Sequence, residues 1–193
     1  MGNPANINLI YKETMTDRDF NRLRQLIEGE YGIKMPYKKK DMLEARLRKR
    51  LKTLSFRNFS QYCEYLFSDD GMKDELIHML DMVTTNKTDF FREPDHFEFL
   101  VQKVLPEMIT GTGMGIQAKL MIWSAGCSTG EEPYTIAMVL NEFREKFPGL
   151  RFQYLILGTD LSSRVLETAK RGVYHENKIS PVPDAIKRKY IMK

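Results

Sequence analysis

The sequence has 193 residues, of which 42% are hydrophobic and 29% are charged, and its formal net charge is +4. These proportions are typical of a folded globular protein and exclude collagen-like and disordered chains. The sequence contains no apolar run of about eighteen residues, so we predict no membrane span. It also lacks a basic flank followed by a long apolar run, so we predict no secretion signal and a cytoplasmic protein.

Helices are predicted along the first part of the chain. The first begins at the capping pair Thr16 and Asp19 and ends at Gly32. After a basic segment, one helix begins near Asn58, and another is predicted from Met72 to Val83 with Met72 buried. Residues 16–84 therefore read as a small four-helix unit.

The positive charge is concentrated in residues 38–52, which hold eight basic side chains against Asp41 and Glu44. Within and just after this segment, leucines recur every three or four residues, at Leu43, Leu47, Leu51 and Leu54. This spacing predicts a helix with one apolar side and one cationic side. The residues alone leave two interpretations open: an ordinary solvated surface, or a docking surface for nucleic acid or an acidic protein.

The pattern changes in the second part of the chain. A helix is predicted to begin at Pro94 and to end in the glycine-rich segment 110–115. An apolar run at 120–123, a helical stretch that ends near Phe147 and a second apolar run at 152–160 then follow. This order of strand, helix and strand predicts a parallel βαβ unit.

The turn SAGCSTGEEP connects the first predicted strand to the helix. Its glycines, Gly126 and Gly130, let the backbone bend close to a ligand. A phosphate-binding loop would continue with lysine, whereas Glu131 and Glu132 follow here and would repel phosphate. Acidic residues suit an ammonium, a sulfonium or sugar hydroxyls, and Asp160 adds a carboxylate at the end of the next strand. We therefore predict an adenosine-containing cofactor, although the glutamates could also simply favour the helix N-terminus.

The segment TTNKTDFFRE, which precedes the helix at Pro94, combines polar and aromatic side chains. Asn86 and Thr88 can form hydrogen bonds with a ligand, Phe90 and Phe91 can exclude water, and Arg92 can pair with a carboxylate. A capping loop with two core phenylalanines is the structural alternative.

Cysteine and histidine are too scattered to predict a metal site. Cys63 and Cys127 lack the CxxC spacing of a zinc site and are expected to be reduced thiols. The three histidines of the chain have no metal-ligand spacing. We assign no metal.

Taken together, these motifs resemble those of the CheR-type chemoreceptor glutamate methyltransferases. The resemblance rests on TTNKTDFFRE, on WSAGCSTGEEPYTIAM with Asp160 downstream, on AKRGVY at 169–174, and on the basic helix within a helical unit. It implies a small all-α N-terminal domain followed by an α/β Rossmann-like class I methyltransferase domain. Residues 1–84 would be the receptor-docking domain and residues 85–193 the N-terminal part of the domain that binds S-adenosylmethionine.

The resemblance also implies a reaction and its participants. S-adenosylmethionine would be the methyl donor and S-adenosylhomocysteine the product, and the substrate would be glutamate side chains on the cytoplasmic coiled coil of methyl-accepting chemotaxis receptors. Neither nucleic acid binding nor membrane insertion is expected. Because family members continue further and carry additional site motifs, the domain is expected to be incomplete in this chain, with weak or no activity. Open alternatives are a methyltransferase for another protein or a small molecule, and a non-catalytic regulatory or nucleic-acid-binding module.

The resemblance also implies roles for the residues that stand at the family's motif positions. Those implied for cofactor binding are Asn86, Thr88, Arg92, Gly126, Glu131, Glu132 and Asp160. Arg92 is also the candidate catalytic residue, since a cation there could hold the cofactor carboxylate or orient the substrate. Those implied for receptor binding are Lys38, Lys39, Arg46, Arg48, Lys49, Arg50 and Lys52.

Overall fold

A computed structural model describes residues 14–84 and 86–192, and the chain divides after Thr84 into two compact units. We call them unit 1, which ends at Thr84, and unit 2, which begins at Thr85. Within the described ranges, no helix combines the length and the apolar character that crossing a bilayer requires.

The described residues of unit 1, 14–84, form helices joined by turns, with no strand among them. Its elements are α1 (Asp17–Tyr31), a 3₁₀ turn (Tyr37–Lys39), α2 (Lys40–Thr53), α3 (Phe59–Leu66), α4 (Asp69–Asp74) and α5 (Leu76–Val83). As predicted, Thr16 caps α1 by accepting a hydrogen bond from the Asp19 amide, and Gly32 ends the helix in a left-handed conformation. The leucines Leu43 and Leu47 on the apolar side of α2 are fully buried in the unit's core.

The prediction of a single helix from Met72 to Val83 is wrong. Two short helices, α4 and α5, meet at Glu75 instead, and Met72 is exposed rather than buried. Ser68 caps α4 earlier than expected, because its hydroxyl accepts a hydrogen bond from the amide of Gly71. At the junction the chain turns so that the Glu75 carboxylate lies inside the unit, where Tyr62 donates a hydrogen bond to it.

Unit 2 combines helices with a pair of strands. Its elements are α6 (Pro94–Phe99), a π-helical segment (Leu100–Val104), α7 (Leu105–Thr112), β1 (Leu120–Ala125), α8 (Glu131–Lys146), β2 (Tyr154–Thr159), α9 (Ser163–Arg171), a 3₁₀ turn (Glu176–Ile179) and α10 (Asp184–Tyr190). The predicted order of strand, helix and strand is present, with α8 between the strands.

The two strands are parallel and in register, from Leu120 opposite Tyr154 to Ala125 opposite Thr159. One face of the pair packs on the core that includes α8, whereas the other face is exposed and carries Met121, Trp123, Leu155 and Leu157. Since both strands run in the same direction, their carboxyl ends lie side by side. This places the turn after β1 and the residue after β2 at the same edge of the sheet.

Candidate functional site

The turn between β1 and α8, residues 126–130, is fixed to the end of β2. We call it the glycine turn. The amides of Gly126 and Cys127 both donate hydrogen bonds to the carbonyl oxygen of Thr159, at 2.8 and 2.9 Å. Gly126 and Gly130 have φ of 77° and 97°, which glycine adopts without steric cost. Among the described residues, apart from Gly126 and its two chain neighbours, no atom lies within 4 Å of the position that a Cβ at Gly126 would take, so the space beside this residue is open.

Asp160 joins the glycine turn to the start of α9. Its Oδ2 accepts a hydrogen bond from the amide of Ser128 at 2.8 Å, and its Oδ1 accepts one from the amide of Ser162 at 2.9 Å. A carboxylate has about four acceptor positions, so each oxygen keeps one position for a ligand. A half-buried carboxylate with this remaining capacity could accept hydrogen bonds from the two hydroxyls of a ribose ring.

Residues 86–93, which we call the lip, lie against the glycine turn. The hydroxyl of Ser128 donates to the carbonyl oxygen of Asn86 at 3.3 Å, and the amide of Phe91 donates to the hydroxyl of Thr135 in α8 at 3.2 Å. Asn86, Ser128 and Asp160 are therefore linked by consecutive hydrogen bonds. The lip, the glycine turn and the end of β2 form one continuous site within unit 2.

The two adjacent glutamates have different surroundings. Glu131 is only 1% exposed, and its Oε2 accepts a hydrogen bond from the hydroxyl of Thr129 at 2.6 Å. Glu132 is exposed, and its Oε1 accepts from the hydroxyl of Ser124 at 2.6 Å. The carboxylate of Glu131 is thus used inside the unit, while that of Glu132 remains accessible to a ligand.

Arg92 and Thr88 are placed differently on the lip. The Arg92 side chain is exposed, and its guanidinium donates to the carbonyl oxygen of Lys87 at 3.2 Å. Thr88 is half-buried. The lip also carries two non-glycine residues in the left-handed region, Phe91 with φ of 53° and Glu93 with φ of 55°. Such backbone strain is concentrated at functional sites in proteins.

Cys127 lies within the glycine turn but is buried, with its sulfur 3.1 Å from the position of a Cβ at Gly158. Burial, and next the nearby Asp160 carboxylate, raise the pKa of this thiol above its usual value. Because the thiolate is the nucleophilic form of cysteine, the arrangement makes Cys127 a packing residue rather than a nucleophile. Over residues 14–84 and 86–192, no three metal-binding side chains are grouped in a way that could hold an ion.

Three residues that sequence reasoning did not single out contact this site. Ser128 forms the link between Asn86 and Asp160, the Tyr174 hydroxyl donates to the carbonyl oxygen of Thr129 at 2.6 Å, and Lys178 contacts the lip. The AKRGVY motif could have indicated Tyr174. The SAGCSTGEEP motif contains Ser128 but does not indicate its contact with Asn86, and Lys178 has no local signal, because these partners are distant in sequence.

The basic residues of α2 and the 3₁₀ turn in unit 1 divide into two groups. Arg46 donates to the carbonyl oxygens of Met82, Val83 and Thr84 at 2.8–3.3 Å and so caps the end of α5. Arg50 forms a two-point ion pair with Glu75, which is 2% exposed.

The other receptor-binding candidates are nearer to solvent. Lys38, Lys49 and Lys52 are exposed, while the half-buried Lys39 donates to the carbonyl oxygen of Lys34 at 2.9 Å and the half-buried Arg48 pairs with Glu44. The cationic surface of unit 1 is therefore narrower than the basic segment of the sequence.

Comparisons with known proteins agree with this architecture. Residues 18–84 match the family model described as the all-alpha domain of CheR methyltransferase, and residues 86–193 match that of its SAM binding domain. These matches confirm the predicted family and the predicted fold class, an all-α domain followed by a Rossmann-like α/β domain.

The relatives that match this chain are named chemotaxis protein methyltransferases. A chemotaxis protein methyltransferase of Borreliella burgdorferi is 40% identical over 189 residues, which cover 98% of this chain and 65% of the relative. That of Escherichia coli is 33% identical over 178 residues, covering 92% of this chain and 58% of the relative. Chemotaxis protein methyltransferase 1 of Pseudomonas aeruginosa is 35% identical over 157 residues, covering 81% and 56%. The chain spans about three fifths of the length of these relatives.

Proposed function

Because the chain belongs to the CheR methyltransferase family, we propose that it acts in the S-adenosylmethionine-dependent methylation of glutamate side chains on chemotaxis receptors in the cytoplasm. The observation that carries this proposal is the hydrogen-bonded series from Asn86 through Ser128 to Asp160. It brings the lip, the glycine turn and a carboxylate with free acceptor positions to one edge of the sheet. Ligands of α/β folds bind at this edge.

The residues present fit the cofactor. When bound, S-adenosylmethionine supplies an electrophilic methyl group on a sulfonium. Asp160 would accept hydrogen bonds from the ribose hydroxyls, and Glu132 would pair with the ammonium group of the methionine portion. Asn86 and Thr88 would supply polar contacts on the lip, and the open space beside Gly126 lets the ligand approach the backbone.

The substrate explains why the site needs no general base. A glutamate carboxylate has a reference pKa of about 4.3 and is already ionised at neutral pH. Accepting a methyl group from a sulfonium would neutralise two opposite charges, with no proton to remove first. Positioning the substrate carboxylate against the bound cofactor would lower the barrier by up to about 7–11 kcal/mol. A site that excludes water favours the loss of charge, and Phe90, which is buried in the lip, contributes to this exclusion.

Arg92 would act on an anion at the rim of the site. Its exposed guanidinium carries two-point donors that match a carboxylate, either that of the cofactor or that of the substrate glutamate. Replacing Arg92 with lysine would keep the charge but lose the planar pair of donors. A lower rate with unchanged affinity for S-adenosylhomocysteine would assign the side chain to the substrate.

Calorimetric titration of the chain with S-adenosylhomocysteine tests the cofactor assignment, with ATP as the comparison ligand. We expect binding of the first and none of the second, since the turn continues into two glutamates rather than a lysine. Transfer of tritiated methyl groups to a receptor cytoplasmic domain, released as methanol in alkali, tests the reaction. No binding of S-adenosylhomocysteine would contradict the proposal.

We propose further that the exposed cations of unit 1 dock the receptor. Lys38 and Lys49 point to solvent, where they can attract an acidic coiled coil. The double variant Lys38→Glu/Lys49→Glu should bind a receptor cytoplasmic domain at least about tenfold more weakly and keep its affinity for S-adenosylhomocysteine. The control is the double variant Arg57→Glu/Lys73→Glu, which changes the net charge by the same amount at two exposed residues of the same unit outside these candidates. Equal loss in the control would show that net charge, rather than this surface, governs docking.

A further inference from the structure

Tyr174, which follows α9, contacts both the glycine turn and the lip. Its hydroxyl donates to the carbonyl oxygen of Thr129 at 2.6 Å, and its ring meets Phe90 edge to face with centroids 4.9 Å apart. The oxygen of Tyr174 lies 2.8 Å from where a Cβ at Gly130 would be, so only glycine leaves room for it. Burial raises the pKa of the phenol, which keeps the hydroxyl protonated as a donor.

Lys178, in the 3₁₀ turn after Tyr174, contacts the lip and the first residue of α8. Its ammonium donates to the carbonyl oxygen of Thr88 at 2.9 Å and to the carboxylate of Asp89 at 3.4 Å. It also lies 3.9 Å from the buried carboxylate of Glu131, at the start of α8. A single cation therefore compensates a buried charge beside the glycine turn and holds two residues of the lip.

From these contacts we propose that residues 174–178 are a brace that positions the lip against the glycine turn. Tyr174 and Lys178 are its two positioning residues. Tyr174 contacts both segments, and Lys178 contacts the lip and Glu131, the residue that directly follows the glycine turn. The brace thereby sets the distance between the polar groups of the lip and the hydrogen bond from Ser128 to Asp160. The proposal rests on the proposed function, because it assigns the brace a role in binding the cofactor.

The alternative is that this segment only stabilises unit 2. The two roles differ in what they predict for ligand affinity well below the melting temperature. A positioning residue lowers affinity in protein that is still fully folded, whereas a stabilising residue lowers the melting temperature and leaves the affinity of the folded protein unchanged. Hydrogen exchange separates them further, since it reports on the individual amides of Ser128 and Phe91, which bond across the site.

The test uses Tyr174→Phe, which removes only the hydroxyl, and Lys178→Met, which removes the ammonium group and keeps an unbranched side chain. We expect each variant to bind S-adenosylhomocysteine about tenfold more weakly in calorimetry, because each loses one hydrogen bond or ion pair. We also expect faster exchange at the Ser128 and Phe91 amides without ligand. Lys178→Arg, which keeps a cation, should restore most of the affinity.

Matched controls are Tyr190→Phe and Lys170→Met. Tyr190 donates to Glu142, and Lys170 pairs with Glu167, all in unit 2 and outside the brace. Both controls should bind S-adenosylhomocysteine like the unchanged chain. Lower melting temperatures with unchanged affinity in the brace variants would overturn the positioning role. If the unchanged chain bound no S-adenosylhomocysteine, the proposed function would fail. Independently of that result, exchange at the Ser128 and Phe91 amides that is as slow in the variants as in the unchanged chain would overturn the brace.

Discussion

At the scale of single residues, Asp160 performs two tasks with one carboxylate. It accepts backbone hydrogen bonds from Ser128 and Ser162, and it keeps acceptor positions for a ligand. Asp160→Asn preserves the shape and one accepting oxygen but removes the charge. Since hydrogen bonds to a charged acceptor are about twice as strong as neutral ones, we expect affinity for S-adenosylhomocysteine to fall about tenfold or more, as measured by calorimetry.

The matched control for this prediction is Asp184→Asn. Asp184 lies in α10, where its side chain is 83% exposed and pairs with Lys187. Its replacement should leave affinity unchanged, because exposed ion pairs contribute little. Undiminished binding by the Asp160 variant would show that the ribose hydroxyls bind elsewhere.

The two thiols give a prediction that depends on pH. Burial raises the pKa of Cys63 to about 12, and burial also raises that of Cys127. Both thiols therefore stay protonated at pH values near the usual cysteine pKa of about 8.5, where an exposed thiol forms its reactive thiolate. We expect iodoacetamide at about pH 8.5 to leave both unlabelled in the folded chain and to label both in urea, as read by mass spectrometry. Fast labelling of Cys127 in the folded chain would contradict its burial.

The residue scale also shows what a sequence can and cannot predict about the site. Asn86, Gly126 and Asp160 lie in or beside motifs, and their segments meet in the structure. The separate environments of Glu131 and Glu132 could not be predicted, since adjacent residues on a helix differ by about 100° in direction and only packing decides which is buried. Lys178 could not be predicted either, because its partner Thr88 lies ninety residues away in sequence.

At the scale of elements, the basic residues of α2 lie in two different environments: some pair inside unit 1 and others are exposed. Arg50 pairs with the buried Glu75 at the junction of α4 and α5, whereas Lys49 is exposed. Arg50→Met would leave the Glu75 charge buried without its cation, which costs about 3–5 kcal/mol. We expect the free energy of unfolding of unit 1, measured by urea titration of the helical circular dichroism signal, to fall by that amount.

Lys49→Met is the control for the Arg50 variant, because it removes one charge from the next position of the same helix. Its free energy of unfolding should change by less than about 0.5 kcal/mol. Equal stability of the two variants would mean that the ion pair between Arg50 and Glu75 contributes nothing. The amphipathic spacing predicted α2 itself. Which of its arginines and lysines form internal contacts and which stay exposed depends on the position of α5, which the spacing cannot predict.

For other elements too, the local sequence pattern predicts the type of element but not the contacts that distant residues make with it. The strand–helix–strand order of unit 2 was predictable, since apolar runs and a glycine turn differ clearly from a helical period. The separation of α4 from α5 was not, because apolar residues recur at helical spacing across Glu75. At the junction, the Glu75 carboxylate is buried in contact with Tyr62 and Arg50, which the local pattern cannot show.

At the scale of the whole molecule, the two units carry different physical interactions. The docking proposed for unit 1 would act through charge on exposed side chains. The ligand binding proposed for unit 2 would act through short hydrogen bonds, such as those of Asp160, within a turn that packing holds fixed. Salt screens exposed charges strongly and partly buried hydrogen bonds weakly, so the two activities should respond differently to ionic strength.

The prediction is therefore a separation of receptor docking from cofactor binding by salt. Raising sodium chloride from about 0.1 M to about 1 M shortens the screening length from about 10 Å to about 3 Å. Binding to a receptor cytoplasmic domain, measured by surface plasmon resonance, should weaken at least about tenfold, mainly through slower association. Calorimetric affinity for S-adenosylhomocysteine should change by less than about threefold. Docking that is insensitive to salt would contradict a cationic surface and would favour an apolar one.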